Sequence, residues 1–132
     1  MLANLSLTYA LAALIGLYFL AAGAGLLVDR KGIPAMIDNF TESPALAYVT
    51  GVMTFVIGGT LTLVHNDWGT ILAAFVSLVG WLALLEGLLL LAFRERFVAA
   101  FSGMARNETM IGGFGILTIV LGAAILFHVF AV

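Results

Sequence analysis

Cysteine is absent from this 132-residue chain and charge is scarce: five Lys and Arg and seven Asp and Glu, 9% of the residues. The lack of thiols removes disulfides, thiolate metal sites and thiol catalysis. A net charge of −2 is too mild to point to a nucleic-acid partner. Catalytic signatures are missing too. There is no Ser-His-Asp set, His-Glu-x-x-His helix, phosphate-binding loop or dinucleotide fingerprint. Nothing here suggests an enzyme, and no cofactor is expected.

What is present is apolar surface. Hydrophobic residues make up 64% of the chain and mean hydropathy is +1.21. A soluble domain of this length has no core large enough to hide it. Four runs stand out: Tyr9–Val28, Ala45–Val64, Thr70–Phe93 and Met110–Phe130. Each matches the ~20 helical residues that cross about 30 Å of hydrocarbon. The runs are continuously apolar and lack the alternation of outer-membrane barrel strands. The expected fold is all-α, a four-helix transmembrane bundle. No Lys or Arg precedes the first run, which is too long for an ordinary signal-peptide core, so it reads as a span.

Residues 14–66 and 78–130 align without a gap at an offset of 64, with 12 of 53 pairs identical. The matches include Gly16/Gly80, Gly23/Gly87, Arg30/Arg94, Gly51/Gly115, Thr54/Thr118 and Gly58/Gly122. The expectation is a single membrane domain made by tandem duplication, repeat 1 covering about 9–66 and repeat 2 about 70–130. Between the spans of each half lies an amphipathic stretch. Ile33, Met36, Ile37 and Phe40 share one helical face, as do Phe97, Phe101 and Met104. Flanking charge suits a short helix in the membrane interface. Pro34 fits the first turn of the earlier one, where a missing N–H costs nothing. Ser43-Pro44 and Asn107-Glu108 are polar starts for the spans that follow.

All five basic residues, Arg30, Lys31, Arg94, Arg96 and Arg106, fall in these two connecting segments. The positive-inside rule then makes the connections cytoplasmic and puts both termini outside. Two spans per repeat give the halves the same orientation, the parallel class of internal repeat.

Every span carries two glycines seven residues apart: Gly16/Gly23, Gly51/Gly58, Gly80/Gly87 and Gly115/Gly122. Seven residues is two turns, so each pair occupies one face. Lipid offers no hydrophobic push between helices, so close packing past small side chains is the expected role.

Glu86 is the sharpest polar candidate, because its partner in the first half is Ala22. It lies about 11 Å from the end of its helix at 1.5 Å per residue. The same depth on neighbouring spans reaches Thr54 and Thr118. An ionised group at mid-membrane costs about 2.5–3.5 kcal/mol on the lenient scale, so such residues usually face inward and often act. Glu86 is either a protonatable or ion-coordinating group, or a neutral acid hydrogen-bonded to those threonines or reaching toward Arg94.

His65 and His128 fall near the outer ends of equivalent spans and form the minimal pair for a haem iron or other metal. No second-shell pattern accompanies them. Asp67 is placed to cap the third span, Trp68 suits the interface, and Trp81, deeper in, needs a partner for its indole N–H.

Gly80 with Leu85-Glu86-Gly87, a basic segment and a glycine-bearing last helix resembles a short two-helix family of bacterial inner-membrane proteins. His65-Asn66-Asp67-Trp68 followed by Gly80-Trp81 and Gly87 is similar to small four-helix bacterial integral membrane proteins. Neither group has an assigned activity. The four-helix group carries Lys where this chain has Glu86, so no role transfers to that residue. The resemblance implies a multi-pass protein of the bacterial cytoplasmic membrane. The expected function is a non-enzymatic accessory or scaffolding subunit, with lipid and other membrane helices, or further copies of itself, as partners. The alternatives are a small oligomeric transporter or channel using Glu86, and a haem or metal carrier using His65 and His128.

Overall fold

A computed structural model describes residues 7–131, except the side chains of 104 and 105. Its elements are six helices: α1 (Leu7–Val28), α2 (Gly32–Glu42), α3 (Pro44–Val64), α4 (Ile71–Ala92), α5 (Arg94–Ala105) and α6 (Glu108–Ala131). Four of them, α1, α3, α4 and α6, are long and apolar enough to cross a membrane. The shorter α2 and α5 cover the expected amphipathic stretches, although the Met104 side chain lies outside the described residues.

Local chemistry explains where the helices begin. The Ser43 hydroxyl accepts from Leu46 N–H at the start of α3, with Pro44 in its first turn. Asn107 accepts from the N–H groups of Thr109 and Met110 at the start of α6. The cap of α4 corrects the expectation for Asp67. Thr70 accepts from Ala73 N–H, while the Asp67 carboxylate accepts within the loop from Gly69 N–H, two residues on, at 2.9 Å. Thr70 sits next to the first helical residue, where a side-chain oxygen reaches the free N–H groups; Asp67 is too far upstream.

The spans pack as two antiparallel pairs, α1 with α6 and α3 with α4. All eight glycines of the seven-residue pattern are buried, and backbones approach across them. A Cβ on Gly122 would lie 2.7 Å from the Gly16 carbonyl oxygen, and one on Gly23 would lie 2.8 Å from that of Gly115. In the other pair, Gly58 faces the backbone of Ala83 and Leu84, and Gly87 that of Phe55. These contacts correspond at an offset of 64. Gly16 meets Ile125 and Leu126, and Gly80 meets Leu61 and Thr62; Gly23 meets Ile119, and Gly87 meets Phe55.

The two pairs join chiefly at the end opposite α2 and α5. There Ala12 and Val76, both fully buried, pack with Ile125 and Val129, and Phe19 meets Phe75 edge-on at 6.0 Å. At the other end α2 and α5 touch each other and are tied by an Arg106–Asp38 ion pair. That pair is exposed and adds little stability. The outer faces of the bundle carry exposed Leu14, Leu17, Ile57, Ile116, Leu117 and Phe127, more apolar surface than water tolerates on a monomer.

One buried polar atom lacks a partner among the described residues: the hydroxyl of Thr62, packed against Gly80. Val has the same shape without the unmet hydroxyl. Thr62→Val is therefore expected to be neutral or to stabilise by about 1 kcal/mol, measured by reversible unfolding in mixed micelles. A loss of more than about 1 kcal/mol would show that the hydroxyl has a partner in solution.

Candidate functional site

Two polar features lie at opposite ends of the bundle. At the α2/α5 end, α4 and α5 enclose a cleft of about 830 Å³ with Ile37 and Phe40 of α2 and Thr50 of α3. Its wall is mostly Leu82, Leu85 and Leu89 of α4, Phe93 just after it, and Phe97 and Phe101 of α5, and its two charged groups are Glu86 and Arg96. The rings of Phe97 and Phe101, one turn apart, meet at a tilt of 45° with centres 4.9 Å from each other.

Glu86 makes no hydrogen bond or ion pair with another described residue. Thr54 and Thr118 do not join it. The Thr54 hydroxyl donates to the Thr50 carbonyl at 2.8 Å, and the Thr118 hydroxyl to the Phe114 carbonyl at 2.7 Å. In an apolar setting a threonine satisfies itself on the carbonyl four residues back in its own helix. Thr118 also belongs to the α1–α6 pair, so equal depth along the axis does not bring it to Glu86. Arg94 contacts Glu95 instead, at 3.5 Å. The carboxylate of Glu86 thus lines the cleft with no hydrogen-bond or ion-pair partner among the described residues.

At the other end His65 is buried, with 4% of its surface exposed. Its Nε2 lies 2.8 Å from the Thr8 hydroxyl on α1, and its Nδ1 lies 3.0 Å from the hydroxyl of Ser77 on α4. Ser77 is fully buried; it donates to the Asp67 carbonyl at 2.8 Å and accepts from Asp67 N–H at 3.0 Å. A hydroxyl has one proton, and here the carbonyl takes it. Nδ1 of His65 must therefore carry the proton it gives to Ser77. In the neutral ring Nε2 is then the acceptor for Thr8. Beside this network Asn66 accepts from the indole N–H groups of Trp68 and Trp81, at 2.8 and 3.3 Å.

His128 stands on the exposed side of α6 with its ring 6.0 Å from that of Tyr9. Both ring nitrogens of His65 are already engaged, so a metal there would have to displace Thr8 or Ser77. Among the described residues no three His, Asp or Glu side chains converge as a metal site.

The sequence reading found Glu86 and His65 but missed their surroundings. Ser77 had a legible signal: apart from Trp81 and Glu86 it is the one polar side chain between Ile71 and Ala92. Arg96, Phe40 and Phe97 had none, because their meeting depends on how α2 and α5 fold over the spans.

These features define a class: an all-α protein with four helices of membrane-spanning length and two short helices at one end. Comparison with known proteins finds no matching family, no matching curated sequence and no matching solved structure.

Proposed function

We propose that the chain is a non-enzymatic integral membrane protein, built by tandem duplication, that serves as an accessory or scaffolding subunit of a bacterial inner-membrane assembly. The duplicated unit is span, interfacial helix, span. The five basic residues near α2 and α5 support a cytoplasmic position for that end and an outward position for both termini. The resemblance to small bacterial membrane proteins supports the compartment.

The observation that carries the reading is where polarity lies. The His65 network is closed on itself at the end opposite α2 and α5, and Thr54 and Thr118 bond within their own helices. What remains is a pair of tightly packed helix hairpins with apolar outer faces, suited to contact with other membrane helices. Purification of the tagged protein from native membranes in mild detergent tests this. Stoichiometric membrane partners are expected; a homogeneous homo-oligomer without partners would sink the reading.

A second reading, a small oligomeric transporter or channel using Glu86, is favoured by one observation: the carboxylate lines a sizeable cleft with no partner among the described residues. Glu86-dependent solute flux in proteoliposomes is its test.

A further inference from the structure

The Glu86 cleft has a chemical character that neither reading specifies. Its volume of about 830 Å³ lies within the roughly 300–1,000 Å³ of small-molecule sites, which are largely apolar with a few placed polar groups. Leucines supply most of the α4 wall, and Phe40 of α2, Phe93 between α4 and α5, and Phe97 and Phe101 of α5 supply aromatic rings. Glu86 lies six residues from the end of α4, about 9 Å along the axis, which is hydrocarbon depth. A carboxylate there is costly unless an opposite charge or a proton meets it, and it forms no ion pair with another described residue.

From this combination we infer that the cleft is a binding site for lipophilic organic cations, with Glu86 as the counter-charge and the phenylalanine rings as the wall. A compact metal cation does not fit, because a single carboxylate among leucines cannot replace its hydration shell. An organic cation fits on both counts. Its charge is spread over an apolar body that the leucines cover, and aromatic faces attract it through their quadrupoles. Arg96 shares the cleft but sits near the start of α5, is exposed, and has a stem long enough to hold its charge toward water. Glu86 stands within α4, six residues before its end, and Arg96 stands four residues beyond that end, so the carboxylate is the charge on the spanning helix and the cationic end of a ligand is drawn toward it.

The inference rests on reading Glu86 as a ligand-facing group, as the transporter reading does, but binding is separable from transport. The test is equilibrium binding of tetraphenylphosphonium to the full-length protein in detergent micelles. Tetraphenylborate, which has the same shape and the opposite charge, is the control. Saturable binding of the cation is expected, weakened at least tenfold in Glu86→Gln and in Leu85→Trp. The second variant fills the cleft from a half-exposed position (Leu85 is 51% exposed) and leaves the carboxylate in place. It answers the question even if the first variant folds poorly. Absence of saturable cation binding, affinity in both variants unchanged from the unsubstituted protein, or equal binding of tetraphenylborate would overturn the site. Glu86-dependent binding without uptake into proteoliposomes would keep the site and remove the transporter reading.

Discussion

Gly87→Ala is expected to lower the stability of the protein in micelles by about 1–3 kcal/mol, the ordinary cost of overpacking. Two effects oppose each other. Ala is the better helix former by about 1 kcal/mol, but its Cβ at this position would lie 2.4 Å from the Phe55 nitrogen and 2.6 Å from the Phe55 Cα. Those are backbone atoms and cannot rotate aside, so α3 and α4 have to separate. Separation is expensive because dispersion between close backbones, rather than hydrophobic burial, holds helices together in lipid. Gly58→Ala meets the same obstacle on the facing helix, 2.2 Å from the Leu84 nitrogen. Gly25 and Gly113 are the internal controls, since an added Cβ there meets nothing within 4 Å. Ala at either is expected to gain up to about 1 kcal/mol from propensity alone. Thermal unfolding followed by far-UV circular dichroism separates the cases. Equal stability of Gly87→Ala and Gly113→Ala would mean that the seam is looser than described.

His65→Ala is expected to be about as damaging, on the order of 2–4 kcal/mol, combining a buried cavity with lost hydrogen bonds. The imidazole joins Thr8 on α1 to Ser77 on α4, so its loss loosens the contact between the two helix pairs as well as the loop after α3. Ser77→Ala removes the hub and leaves the N–H and C=O of Asp67 without their partner. Each such group costs roughly 1–3 kcal/mol when it stays dry. The double variant should cost clearly less than the sum of the two singles, because both act on one network. Additive losses would show that His65 and Ser77 act independently. Trp68 and Trp81, bonded to Asn66 beside the network, make tryptophan fluorescence a local readout of the loop.

The long helices were legible because a continuous apolar run of about 20 residues permits few structures. Observed spans such as Pro44–Val64 and Ile71–Ala92 differ from the expected Ala45–Val64 and Thr70–Phe93 by a residue at one end and at both ends respectively. The amphipathic helices were legible too, since their apolar residues recur at helical spacing, although α5 starts at Arg94, ahead of the expected face. The seven-residue spacing of glycines also belongs to the chain itself, and each pair lies on one helix face whatever the tertiary arrangement.

Which elements meet was another matter. A linear sequence states depth along a helix but not the direction in which a side chain points relative to its neighbours. That is why Glu86, Thr54 and Thr118 share a depth without sharing a site, and why His65, at the end of an apolar run, turned out to be buried between α1 and α4. Spans and faces follow from local periodicity and from the thickness of a bilayer. The pairing of α1 with α6, the proton position on His65 and the cleft beneath α5 arise from packing between segments distant in sequence, where the closest approach of backbones decides what each polar group can reach.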